Sequence, residues 1–62
     1  MTTEDIKSMD PNILVSIINL KLRDYYSNLE SLVYDMDINI EALEDSLKKG
    51  GFIYNESINQ FR

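Results

Sequence analysis

The sequence predicts a mainly α-helical domain: a three-helix, helix-turn-helix-like unit closed by a short C-terminal β-hairpin. Helix-capping residues precede three amphipathic segments, a Gly-Gly pair follows the last of these, and two short β-favourable runs come after it. A chain of 62 residues has room for one domain, which buries only about 60% of its unfolded surface. We therefore assign residues 10–62 to one compact domain and residues 1–9 to an N-terminal arm.

The first nine residues are mostly polar, and Ile6 belongs to no apolar repeat. We expect them to form a frayed tail or a short arm. Asp10-Pro11 ends this stretch, because Asp is a good N-cap and Pro suits the first helical position. The first helix is predicted to begin there and to run to Tyr25.

The first helix carries apolar residues on two faces. A helical period places its core stripe at Leu14, Val15, Ile18, Leu22, Tyr25 and Tyr26. A second apolar group, consisting of Ile13, Ile17 and Leu20, lies on a different side. A small monomer has difficulty covering both faces. Either the arm or the hairpin covers the second group, or another molecule does.

Two shorter helices follow. Ser27-Asn28-Leu29-Glu30 has the spacing of a capping box with Ser27 as N-cap, so a second helix is predicted to start there and to end around residues 35–37. Its apolar face is formed by Leu29, Leu32, Val33 and Met36.

Asn39 is predicted to cap the third helix, with Ile38 and Leu43 spaced as a hydrophobic staple. The buried face of this helix is formed by Ile40, Leu43 and Leu47.

The C-terminal end of the third helix is marked by Lys48 and Lys49, which complement the helix dipole, and by Gly50-Gly51, which permits a left-handed conformation. Two β-favourable runs, residues 52–54 and 58–61, are joined by residues 55–57. An isolated hairpin is marginal in water, so its aromatic residues should rest on the helices: Phe52, Tyr54 and Phe61.

Composition excludes several classes of protein. The chain has no Cys and no His, which removes disulfides and the usual structural zinc site. Its net charge of −5 disfavours binding to nucleic acid or anionic membranes. No apolar run reaches membrane-spanning length, and the first residues lack the features of a secretory signal. We expect a cytoplasmic protein.

Neither catalysis nor metal binding is predicted. Without His or Cys, the serines have no evident base to activate them, and no glycine-rich phosphate loop is present. Asp35, Asp37 and Asn39 match the first ligand positions of a calcium loop, but Ile40 replaces its glycine and Ser46 its last carboxylate. We therefore expect no catalytic residue, no cofactor and no metal.

The helix-turn-helix-like order raises the alternative of a nucleic-acid-associated regulator. In such proteins the third helix enters the major groove. Here its outer face carries Glu41, Glu44 and Asp45, which repel phosphate, and only Lys48 and Lys49 favour contact. This alternative requires a basic surface supplied by a partner.

Ser16, Asn19 and Arg23 share one side of the first helix. They form a solvated polar face, or Arg23 pairs with a carboxylate of the third helix. In the sharper hypothesis, a protein-recognition surface combines polar and apolar residues: Ile13, Ile17, Asn19, Leu20 and Arg23. We predict a non-catalytic protein-interaction or regulatory module that binds a protein partner or a second copy of itself.

Several short strings resemble a known family. They are Asp10-Pro11, the block Lys21-Leu22-Arg23-Asp24 with nearby Leu14, Ser16, Asn19, Tyr26 and Leu29, and the ending Asn59-Gln60-Phe61. Together they resemble the short bacterial proteins grouped as domain of unknown function DUF4250. The chain departs from that pattern in its longer polar start and at Val33, where cysteine is expected. The resemblance implies a compact bacterial cytoplasmic protein and assigns no activity.

Overall fold

The computed structural model describes residues 1–62 and contains four helices followed by a two-stranded antiparallel hairpin. This confirms a mainly helical fold with a C-terminal hairpin and adds one helix at the N-terminus. The elements are α1 (Thr3–Ser8), α2 (Pro11–Asp24), α3 (Leu29–Met36), α4 (Ile40–Lys48), β1 (Tyr54–Asn55) and β2 (Gln60–Phe61). No helix has the length and apolar character needed to cross a membrane.

The N-terminal segment expected to be a frayed tail or short arm contains helix α1. The Thr2 hydroxyl accepts a hydrogen bond from the Asp5 amide at 3.2 Å, and the Asp5 carboxylate accepts one from the Thr2 amide at 3.1 Å, which completes a capping box. Ile6 is fully buried. A six-residue helix is marginal alone, so its packing against α4 stabilises it.

Helix α2 begins as predicted, with Pro11 in its first turn and the Asp10 carboxylate accepting a hydrogen bond from the Asn12 amide at 2.7 Å. Leu14, Val15, Ile18 and Leu22 are buried as expected. Tyr25 is not: the helix ends at Asp24, and this side chain is 74% exposed. The helical period no longer applies at that position, so its assignment to the core was wrong.

Helix α3 starts one residue later than the predicted capping box. Asn28, not Ser27, is the N-cap, and its side-chain oxygen accepts a hydrogen bond from the Ser31 amide at 2.7 Å. Asn and Ser cap helices about equally well, so the local signal did not separate the two positions. At the other end Asp37 takes a left-handed conformation with φ of 53°.

Helix α4 follows after three residues, and Asn39 caps it as predicted by accepting from the Ala42 amide at 2.9 Å. The amide of Phe52 donates to the carbonyl of Leu47 at 3.0 Å, and that of Gly51 donates to Lys48 at 2.9 Å. These two bonds form a Schellman motif, with Gly51 at a φ of 85°. The left-handed glycine predicted at this helix end is confirmed.

The hairpin pairs Tyr54 with Phe61 and Asn55 with Gln60. Phe61 is buried, and its ring centroid lies 5.3 Å from that of Tyr54. Phe52 and Tyr54 pack against the core, as expected of the hairpin aromatics. A single core contains residues from all four helices and from β2. Its buried apolar members are Ile6, Leu14, Val15, Ile18, Leu22, Leu29, Leu32, Ile38, Leu43, Leu47 and Phe61.

Candidate protein-interaction surface

The second apolar group of α2 lies on the side of the helix turned away from the core. We call Ile13, Ile17 and Leu20 the α2 stripe; their spacing of four and three residues places them on one helix face. Ile13 is 58% exposed and Leu20 is 47% exposed, while Ile17 is half-buried. Neither α1 nor the hairpin covers this face fully, so two large aliphatic side chains remain in water.

Asn19, predicted to belong to the recognition surface, instead fastens the hairpin to α2. Its side-chain oxygen accepts a hydrogen bond from the Phe61 amide at 2.8 Å, and its side-chain nitrogen donates to the Phe61 carbonyl at 3.1 Å. The side chain of Gln60 donates to the Asn19 carbonyl at 3.1 Å. The side-chain amide of Asn19 is therefore hydrogen-bonded within the fold and unavailable to a partner.

Arg23 lies beside the C-terminal end of the α2 stripe and is exposed to solvent. Its guanidinium donates two hydrogen bonds to the Asp24 carboxylate, at 2.9 and 3.0 Å. This bonding raises the pKa of Arg23 and lowers the pKa of Asp24. The alternative that Arg23 pairs with a carboxylate of the third predicted helix is wrong, because the adjacent Asp24 satisfies it locally.

Tyr26 and Asp35 connect the end of α2 to α3. The Tyr26 hydroxyl donates to the Asp35 carboxylate at 2.5 Å, and this bond raises the pKa of Tyr26. Asp37 occupies the left-handed position that ends α3, and Asn39 caps α4. The three residues that resembled the start of a calcium loop therefore have local structural roles.

A shallow open cleft between α1 and α4 is a feature that the sequence reasoning missed. Its volume is about 540 Å³, and its lining includes Lys7 of α1 with Lys48 and Lys49 of α4. These are half of the six basic residues in the chain. Lys7 lies far from the other two in sequence, so only the docking of α1 could bring them together. Asp45 also lines the cleft and reduces its positive charge.

No curated protein and no solved structure matches this chain. One family does: the model of Domain of unknown function (DUF4250) matches residues 8–61. The matched span begins at the end of α1 and includes α2, α3, α4 and both strands of the hairpin. Since the match covers most of the 62 residues, the chain belongs to the DUF4250 family.

Proposed function

We propose that this protein is a non-catalytic protein-interaction module that forms a homodimer through the α2 stripe. The observation that carries the proposal is the exposure of Ile13 and Leu20 on the helix face opposite the core. Large apolar groups on one exposed face are typical of interaction sites. A domain of this size also gains from a partner subunit, because its own core rarely supplies more than about 3–5 kcal/mol.

The spacing of the stripe suits two copies of the same helix. Ile13 lies four residues before Ile17, and Leu20 lies three residues after it. In an antiparallel pair of α2 helices centred on Ile17, each Ile13 faces a Leu20 of the second copy. Two-fold homodimers require such a self-complementary patch.

The oligomeric state at increasing protein concentration tests this proposal. We expect sedimentation equilibrium to show a concentration-dependent dimer. A double variant, Ile13→Glu with Leu20→Glu, should be monomeric, because dimerisation would bury four carboxylates in the interface. Ile58→Glu, at another exposed apolar position in the hairpin turn, is the control and should dimerise normally. Circular dichroism establishes that each variant keeps its helices.

A wild-type protein that stays monomeric up to millimolar concentration would contradict the homodimer. Crosslinked affinity capture with nuclease treatment then separates the remaining cases. A stoichiometric protein partner that the double variant loses would keep the interaction role and replace the second copy with that partner. Equal capture by wild type and double variant would remove the α2 stripe from the proposal.

A bacterial cytoplasmic setting fits the acidic, cysteine-free composition. The role requires no cofactor or metal, since recognition depends on buried apolar area. The groups with displaced pKa values also have local structural explanations: Arg23 and Asp24 bond to each other, and Tyr26 bonds to Asp35. These shifts need no catalytic role to account for them.

One observation favours a second candidate, the nucleic-acid-associated regulator. Lys7, Lys48 and Lys49 surround one cleft and would contact phosphate groups. The exposed Glu41 and Glu44 on α4 oppose this interpretation. Fluorescence anisotropy with labelled DNA and RNA at two salt concentrations tests it. Salt-sensitive micromolar binding that is lost in Lys48→Gln with Lys49→Gln would favour the regulator, whereas the interaction module predicts no such binding.

A further inference from the structure

The two edges of the hairpin differ. Ile53 and Arg62 exchange backbone hydrogen bonds, at 3.3 and 2.8 Å. In an antiparallel ladder the next pair, Tyr54 and Phe61, therefore directs its amide and carbonyl groups outward. On the β2 side the Asn19 side chain satisfies both groups of Phe61. A side-chain amide of α2 thus covers the β2 edge as a neighbouring strand would.

The β1 edge has no such cover. The amide and carbonyl of Tyr54 make no hydrogen bond within the chain. Its side chain is nevertheless fixed, because the hydroxyl donates to Asn59 at 2.6 Å and the ring packs against Phe61. A rigid strand with an unpaired amide and carbonyl is a template on which another extended segment can pair.

The same residue borders a groove between α4 and β1. Two concavities, of about 240 and 220 Å³, share Tyr54 and Glu44 and so adjoin each other. Phe52 and Ile53 contribute apolar surface to the first, and Leu29 and Ile40 contribute it to the second. We call these two adjoining concavities together the β1 groove. Its apolar lining can accept the side chains of an extended segment on either side of Tyr54.

The rim of the β1 groove is acidic. Glu30, Glu44, Asp45 and Glu56 line it, and Lys48 is its one basic residue. The carboxylates come from α3, α4 and the hairpin turn, so the fold brings them together. None of them forms an ion pair, since the one ion pair in the structure joins Arg23 to Asp24. The groove therefore attracts cationic side chains.

We propose that the β1 groove binds an extended basic peptide segment of a partner protein, which pairs with Tyr54 as a third strand. The amide and carbonyl of Tyr54 would bond to the peptide backbone, which is the main source of affinity in strand addition. Alternate peptide side chains point to opposite faces. Apolar ones enter the groove, and Lys or Arg side chains face Glu44 and Glu56. This surface is separate from the α2 stripe and goes beyond the homodimer.

The probe is a fluorescein-labelled peptide that alternates Lys with Val over about eight residues, a usual strand length. We expect saturable binding by anisotropy that weakens as salt is added. In nitrogen-15 spectra the Tyr54 amide signal should shift, and its exchange with solvent should slow on peptide addition. A peptide that alternates Glu with Val is the control and should not bind.

Matched charge variants separate a site from general attraction to an acidic protein. Glu44→Gln with Glu56→Gln removes two carboxylates from the groove, and we expect each to weaken peptide binding about two- to fivefold. Glu4→Gln with Glu41→Gln changes the net charge equally but alters two exposed residues that do not line the groove. This control should change affinity less. The α2 stripe double variant should bind the peptide normally.

Three results would overturn the proposal. Equal weakening by the two charge variants would mean non-specific attraction. Peptide binding without slower exchange at Tyr54 would mean that no strand is added. If solvent exchange of the Tyr54 amide in the free protein becomes slower as protein concentration rises, the edge pairs with a second copy. Loss of the homodimer alone leaves all three readouts unchanged, so the two proposals fail independently.

Discussion

At the scale of single residues, side-chain amides hold the hairpin against α2. Asn59 donates to the carbonyls of Leu22 and Tyr26, both at 3.0 Å, and accepts from the Tyr54 hydroxyl. Its φ is 53°, a left-handed value that Asn tolerates better than most residues. One residue thus satisfies a carbonyl in the last turn of α2 and another just after the helix, and it fixes the hairpin turn. Its role depends on partners more than thirty residues away.

Replacing Asn59 separates its two contributions. Asn59→Gly keeps the left-handed backbone but loses the amide bonds, so we expect the free energy of unfolding to fall by about 1–3 kcal/mol. Asn59→Ala also strains the backbone and should lose about 1–2 kcal/mol more. Urea unfolding followed by circular dichroism measures both. If Asn59→Gly matched wild type, the bonds to Leu22 and Tyr26 would contribute nothing to stability.

Tyr26 gives the protein a stability change at alkaline pH. Its bond to Asp35 raises the pKa of Tyr26 above the ordinary value of 10.0. The folded pKa exceeds the unfolded one, so the contribution is complete below the unfolded pKa and is lost as pH rises through the folded pKa. Tyr26→Phe should therefore be less stable than wild type at pH 8. The difference in the free energy of unfolding should shrink as pH rises above the ordinary tyrosine pKa of 10.0.

The measurement is the free energy of unfolding of both proteins between pH 8 and 12. Tyr25→Phe alters an exposed tyrosine and is the control, since it should follow the wild-type curve. A constant difference between wild type and Tyr26→Phe across this range would show that the hydroxyl acts without ionisation and would contradict the explanation.

At the scale of elements, α1 is the helix that sequence periodicity could not identify. It contributes one fully buried side chain, Ile6. The Thr3 hydroxyl also accepts a hydrogen bond from the Asn39 amide at 3.3 Å, at the start of α4. A single apolar residue defines no repeat, so periodicity had nothing to detect. The capping box at Thr2 and Asp5 was the signal that could have revealed this helix.

Ile6→Val tests whether α1 is docked in solution. Removing one buried methylene should lower the free energy of unfolding by about 0.5–1.5 kcal/mol. Ile58→Val makes the same chemical change at an exposed position outside the α2 stripe and should cost almost nothing. Thermal unfolding by circular dichroism compares the two at equal concentration. Equal stability of the two variants would mean that α1 adds no buried contact.

At the scale of the whole molecule, charge is unevenly compensated. The chain carries eleven acidic and six basic residues, but one ion pair forms, between neighbours on α2. Half of the basic residues gather at the cleft between α1 and α4, while carboxylates surround the β1 groove. The fold thereby makes a locally basic surface and a strongly acidic one on a protein of net charge −5.

This imbalance predicts a response to salt. Self-repulsion of a net charge destabilises a compact state, and added salt screens repulsion between exposed charges. We expect the midpoint of thermal unfolding to rise when sodium chloride increases from 10 to 200 mM, a range over which the screening length falls from roughly 30 to 7 Å. A lower midpoint in salt would mean that attractive pairs outweigh the repulsion.

Much of the secondary structure was predictable from the sequence because its signals are local. Asp10-Pro11 marks the start of α2, Asn39 caps α4 and Gly51 ends it. Each of these signals acts on backbone groups within five residues along the chain. Helical spacing likewise identified most of the core. Local information was insufficient where two good caps stood together, so Ser27 was preferred over Asn28.

The sequence by itself determined the mainly helical class, the hairpin and the family, since caps, periodicity and short motifs need no partner far along the chain. Only the tertiary structure decided what Asn19 does, because its partner Phe61 lies 42 residues away. It also decided that α1 is helical and that the Tyr54 edge stays open beside acidic side chains. These features depend on which distant segments pack together, and the local spacing of residues does not specify those tertiary contacts.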